Sequence, residues 1–174
     1  MLNYKNPKNM EQTLNWRKGL FDSNYQVFGN ALLKFSLNFS SLKNSAIATT
    51  QQGIYLLKSE GYSNPETKIL NNKNEVLAII RYDWVGFKAK ILFTSGEVFD
   101  WSFQNSWLSR WTINNHKAKQ IIYNSSTNSG LIHANMDDEI LIFTGLFIRE
   151  YYSRILYALV LLVILMSFTR NILV

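Results

Sequence analysis

The stretch SGLIHANMDDEILIFTGLFIREYY, residues 129 to 152, changes character in its middle. As far as Asn135 it reads as a short alternating strand. Three acids, Asp137, Asp138 and Glu139, then stand directly before Ile140, Leu141, Ile142, Phe143, Leu146, Phe147 and Ile148. Acids in that position predict a helix start, because a carboxylate accepts the free backbone N–H groups and complements the positive end of the helix dipole. Only Thr144 and Gly145 interrupt the apolar run, so this helix must be enclosed on every side, by protein or by lipid. Roughly ten residues at ~1.5 Å each span ~15 Å, half of a bilayer core, which favours protein. The expectation is a body of strands closed around a helix running from about Asp138 to Tyr152.

The upstream residues supply the strands. From Gln26 to Met136, short apolar runs are punctuated by Gly, Asn and Ser. In EVLAIIRYDW, Val76, Ala78, Ile80, Tyr82 and Trp84 share one face. GFKAKILF puts Phe87, Ala89, Ile91 and Phe93 on one face, and only Val85 and Gly86 separate the two runs, which predicts a hairpin. GEVFDWSF places Phe99, Trp101 and Phe103 opposite Val98, Asp100 and Ser102. Further strands are read in QVFGNALLKF, AIATTQQGIYLLK, TKIL, RWTI, KQIIYN and SGLIHAN, at spacings that suit an all-β sandwich or barrel. TKILNNKNEVLAII and WTINNHKAKQIIY echo each other, either as two similar Asn-turned hairpins or as a duplicated half-sheet. Residues 1–24 differ: they are polar, with Met10, Leu14 and Phe21 at loose helical spacing, and read as an N-terminal arm with a short helix.

The chain has 174 residues, 47% hydrophobic and 17% charged, which fits one globular domain with an appendage and excludes general disorder. The absence of cysteine excludes disulfide frameworks, zinc-finger spacings, thiolate nucleophiles and lipidated cysteines. The polar N-terminal residues lack the apolar core of a secretory signal, so a cytoplasmic body is expected. A formal charge of +6 suits nucleic acid or an anionic membrane face, although the bases are scattered.

The string of hairpins ending in SGLIHANMDDEILIFTGLFIREYY resembles the tubby C-terminal-like superfamily, which includes the plant LURP-one-related proteins and the phospholipid scramblases. The resemblance covers about Tyr25 to Tyr152. It implies a closed antiparallel barrel around one hydrophobic helix, and a membrane-associated, lipid- or protein-binding role. The phosphoinositide-binding lysines and arginines of tubby proteins have no residue-by-residue counterparts here, and the sequence contains no scramblase-type calcium loop. The implied fold therefore carries over better than any activity.

Residues 153–174 are read as an additional apolar helix. Ile155 to Thr169, ILYALVLLVILMSFT, spans ~22 Å as a helix, and continuation to Val174 reaches ~30 Å with Arg170 near the far end, where it can snorkel. Arg149, Tyr151, Tyr152 and Arg154 precede the run, where a tail anchor at the inner face of a membrane carries its aromatic belt and positive charges. The rival reading is that the run packs on the barrel or self-associates.

No nucleophile elbow, P-loop or dinucleotide turn occurs among the eight glycines. His116 and His133 lack paired metal-ligand spacing, and consecutive acids at 137–139 lack the alternating oxygen ligands of a calcium loop. Asp83, Glu97 and Asp100 read as outward charges on strands. Lys88 and Lys90, with Arg110, Lys117 and Lys119, form the expected basic stripe, beside which Trp84, Trp101, Trp107 and Trp111 offer stacking surfaces. The RNP1 pattern is missing and most aromatics fall on the core face, so anionic phospholipid suits the stripe better than nucleic acid. The sequence thus predicts a non-enzymatic, membrane-associated module without cofactor or metal that contacts anionic phospholipid or an unidentified protein partner. The alternatives are a soluble scaffold that oligomerises through its last helix, and a ligand carrier or enzyme with a barrel-end pocket.

Overall fold

The computed structural model describes residues 11–19, 22–41, 43–61 and 65–172, with side chains described as far as Phe168. Twelve strands precede one helix: β1 Gln12–Lys18, β2 Tyr25–Gly29, β3 Leu32–Phe39, β4 Ser45–Thr50, β5 Ile54–Glu60, β6 Glu66–Leu70, β7 Val76–Asp83, β8 Lys88–Phe93, β9 Val98–Phe103, β10 Arg110–Asn114, β11 Gln120–Ser125, β12 Ser129–Ala134 and α1 Glu139–Ile172. Each strand pairs with the next in the chain, and β1 pairs antiparallel with β12, so the sheet closes into a barrel with no free edge.

The period of two decides which side chains go inside. Ala78 and Ile80 of β7, Ala89 and Ile91 of β8, and Phe99 and Trp101 of β9 are buried, while Arg81, Lys88, Lys90 and Val98 between them are exposed. The hairpin across Val85 and Gly86 keeps its ladder to the pair Asp83↔Lys88. The two echoing segments are two hairpins with one turn chemistry. Asn71 Oδ1 accepts from the N–H groups of Lys73 and Glu75, and Asn115 Oδ1 accepts from those of Lys117 and Lys119.

The polar arm requires correction. Met10 and Phe21 lie outside the described residues, but Leu14 belongs to β1, where it and Trp16 point into the core and Thr13, Asn15 and Arg17 point out. Six residues of β1 pair with β12 and four with β2. The barrel therefore begins at Gln12, not at Tyr25. Two inward residues are too few to distinguish alternation from helical spacing, and the neighbouring strands select the extended form.

A barrel of eight strands is filled by its own side chains, whereas twelve enclose room for a helix about 10 Å across. Asp138 caps that helix: its Oδ1 accepts from Leu141 N at 3.0 Å and its carbonyl from Ile142 N at 3.1 Å. Every residue from Leu141 to Ile148 is then buried, as an all-round apolar helix requires. Each such Leu, Ile or Phe contributes about 1.5–3 kcal/mol on leaving water. Gly145 lets the wall approach the helix. Its carbonyl accepts from Trp101 Nε1 at 3.2 Å, and a Cβ there would lie 2.3 Å from the Tyr123 hydroxyl.

The enclosed helix and the apolar C-terminal segment are one element, not two. No Gly or Pro occurs after Gly145, so nothing in the sequence ends the helix where it leaves the barrel. It runs on for 34 residues in all.

Candidate functional site

Tilted strands of about six residues, together with the turns that extend them at both ends, make a wall roughly 20 Å high, which a helix crosses in about 13 residues. Counted from Asp138, that places the exit near Tyr152, and the structure agrees. Tyr152 is fully buried and its hydroxyl donates to the carbonyls of Asp83, at 3.1 Å, and of Lys88. Tyr151 is also buried and stacks on Tyr82 with ring centroids 4.0 Å apart. The same arithmetic, applied to the sequence, would have assigned both tyrosines to the barrel. They line its mouth, and the expectation of an aromatic belt at these two positions is overturned.

The flanking arginines are drawn inward too. Glu150, 3% exposed, accepts from Lys18 Nζ at 2.8 Å, Ser23 Oγ at 2.9 Å and the Tyr25 hydroxyl at 2.6 Å. Arg149 lies 3.8 Å from the same carboxylate, donates to the Tyr25 hydroxyl at 2.8 Å, and packs over Trp16 and Trp111. Arg154 stands 3.7 Å from Glu150, donates to the carbonyls of Ser40 and Lys43, and covers Phe39. Arg149 is therefore a barrel residue and not the interfacial cation expected, while Arg154 ties the helix to the β3–β4 loop at the mouth. Burial acts to raise the Glu150 pKa, but hydrogen bonds from Lys18, Tyr25 and Ser23 outweigh it and hold the carboxyl below the usual glutamate range. Arg170's side chain lies outside the described residues.

Beyond the mouth α1 is bare. Tyr157, Leu159 to Met166 and Phe168 are all exposed, and no charged residue occurs from Ile155 to Thr169. Among the described residues this is one helix long and apolar enough to cross a bilayer. The rim around it carries exposed apolar side chains at two loop tips: Trp84 and Val85 between β7 and β8, and Trp107 between β9 and β10. In sequence Val85 is a hairpin spacer, and Trp84 and Trp107 group with Trp101 and Trp111. The last two are fully buried and offer no stacking surface. A Trp set in a polar turn, as in QNSWLSR, was the signal for Trp107.

The basic stripe is divided. Lys88 and Arg110 sit at the helix-exit rim, Lys90 midway along the wall, and Lys117 and Lys119 at the opposite rim. Lys90 pairs with Asp100 at 3.1 Å, Asp100 also bonds His116 at 2.9 Å, and Lys119 pairs with Glu97 at 2.6 Å. Among the described residues no ion pair engages Lys88, Arg110 or Lys117. Glu11, Glu75, Glu97, Asp137, Asp138 and Glu139 surround the start of the helix at the opposite rim, while Asp22, Glu60, Glu66 and Asp83 lie at the exit rim, Glu60 paired with Lys58 and Lys68 and Glu66 with Arg81.

Two concavities adjoin these residues. A groove of 470 Å³ on the outer wall is lined by Arg81, Lys88, Lys90, Asp100 and His116. A crevice of 720 Å³ at the mouth runs between Lys43, Lys58, Leu56, Trp84 and Tyr151. His133 bonds Thr13 at 3.2 Å, Asp83 caps its own hairpin, and no cluster of metal-ligating side chains occurs among the described residues. No family model, curated protein or solved structure matches the chain.

Proposed function

We propose that the chain is a membrane-anchored, non-enzymatic barrel module of the tubby or scramblase type, a cytoplasmic body fixed to a bilayer by the outer part of α1. The observation that carries this reading is the run from Ile155 to Thr169, uncharged throughout and exposed from Tyr157 to Phe168, which continues without a break from a helix already buried in the core. Such a surface does not stay in water uncovered. The rim around it carries Lys43, Lys88 and Arg110, which no ion pair engages among the described residues and which are placed to meet anionic phospholipid. The barrel interior is filled by the helix and its aromatic neighbours, which supports a binding module over an enzyme with an internal pocket.

Alkaline carbonate extraction of the full chain beside a chain ending at Leu156 tests the proposal. That end point keeps Arg154 and its bonds to the β3–β4 loop. The full chain is expected in the membrane pellet and the shorter one in solution with its β-structure circular dichroism intact. A full chain that is soluble as a defined oligomer would replace the anchor with the scaffold reading.

A further inference from the structure

We infer that the helix-exit rim itself sits in the lipid headgroup zone, so that Trp84, Val85 and Trp107 hold the barrel against the bilayer together with the helix. The inference rests on the anchor reading above and adds a second contact surface to it.

Position is the first argument. Val85 is 96% exposed, Trp107 90% and Trp84 39%, and all three occupy loop tips on the end of the barrel from which the apolar helix emerges. Exposed aliphatic residues such as Leu32 and Ile54 occur at the opposite rim as well, but among the described residues both exposed tryptophans lie on this one. Tryptophan prefers the membrane interface, where its ring is apolar and its N–H remains solvated. Lys43, Lys88 and Arg110 on the same rim complement anionic headgroups.

Rigidity is the second argument. The helix passes from the buried Tyr152 to the exposed Tyr157 without a linker. The base of the β7–β8 hairpin is tied to it by the Tyr152 hydroxyl on the Asp83 and Lys88 carbonyls, and the Trp84 ring lies 5.9 Å from that of Tyr151. The height of the rim along the helix is thereby set at the turn before Ile155, where the uncharged run begins.

Length is the third. The uncharged run from Ile155 to Thr169, 15 residues at ~1.5 Å each, spans ~22 Å, less than the ~30 Å of hydrocarbon. A short span is accommodated by local thinning of the bilayer, which brings the headgroups to the flanking structure, here the rim. A helix on a flexible linker would leave the barrel free in solution.

The chain has no cysteine, so single labels can be placed at will. Val85→Cys, Val163→Cys and Lys73→Cys, each in the full chain and carrying an environment-sensitive thiol fluorophore, are reconstituted into vesicles of phosphatidylcholine and phosphatidylserine. Nitroxide lipids then report depth. Quenching is expected at residue 163 by deep nitroxides and at residue 85 by headgroup nitroxides, severalfold above that at residue 73 on the opposite rim. Quenching at 163, with residue 85 no more quenched than 73, overturns the rim contact and leaves the anchor standing. Loss of quenching at 163 as well overturns the anchor, and the rim contact with it.

Discussion

Tyr25 donates its hydroxyl hydrogen bond to Glu150 at 2.6 Å, joining the second strand to the last turn of helix inside the barrel. Lys18, Arg149 and Arg154 surround the same carboxylate, so one buried anion holds three cations and the seam between β1, β2 and α1. Removing it leaves those cations uncompensated. Glu150→Ala is expected to destabilise by about 3–5 kcal/mol, and Tyr25→Phe by about 1–3 kcal/mol, measured by denaturant unfolding in mild detergent. The pH dependence follows from the lowered pKa of Glu150, in which hydrogen bonds from Lys18, Tyr25 and Ser23 overcome the opposing effect of burial. Its contribution is complete above the ordinary value of 4.5 and disappears as pH falls through the lower folded value. Glu150→Gln should flatten the acid limb of a stability–pH curve.

Gly145 lies inside α1, where replacing Gly by Ala ordinarily gains about 1 kcal/mol. Here an added Cβ meets the Tyr123 hydroxyl at 2.3 Å and its ring at 2.5 Å, and Tyr123 is held by its bond to the Ile142 carbonyl at 3.0 Å. Gly145→Ala is therefore expected to destabilise by about 1–3 kcal/mol. Thermal unfolding that shows a gain would mean that the wall is looser around the helix than described.

The closing strand gives a third expectation. A chain starting at Tyr25 lacks β1, which exposes the edges of β2 and β12 and removes the buried Trp16 and Lys18, the latter a partner of Glu150. It should aggregate or remain unfolded, as unpaired edges and a lost core residue dictate. A folded, monomeric product in size-exclusion chromatography would contradict closure by β1.

What the sequence made legible was alternation. Strands such as Val76–Asp83 and Val98–Phe103 declare their inner faces, and the three acids before Ile140 declare the helix start. β1 escaped because only Leu14 and Trp16 face inward, a pattern that either backbone accommodates. Tyr151 and Tyr152 are buried, and Arg149 half-buried, for another reason. They adjoin an apolar run in sequence, but their surroundings depend on the height of the wall, a property of the assembled sheet. Trp107 and Val85, 22 residues apart, share a rim because consecutive antiparallel strands put alternate loops at one end, and that end becomes a helix exit only once the helix is inside.

The division of the basic residues can be tested with vesicles. Lys88→Glu and Arg110→Glu, at the helix-exit rim, should each weaken cosedimentation with anionic vesicles by about 1 kcal/mol, roughly fivefold, in a manner suppressed by salt. Lys117→Glu, at the opposite rim, should have no effect. Lys90→Glu breaks only an exposed pair with Asp100 and should cost under about 1 kcal/mol of stability. Equal effects at both rims would mean that the barrel has no fixed orientation on the membrane.

The central claim, that the bare part of α1 lies in lipid, is tested most directly by spin-label accessibility. Single cysteines are placed at each position from Tyr157 to Phe168 in the full chain, reconstituted in bilayers, and scanned for collisions with oxygen and with a water-soluble nickel chelate. The account predicts high oxygen and low nickel accessibility at every position, on all faces of the helix. High nickel accessibility, or a 3.6-residue alternation in which one face excludes both reagents, would place the helix in water or against protein and contradict it.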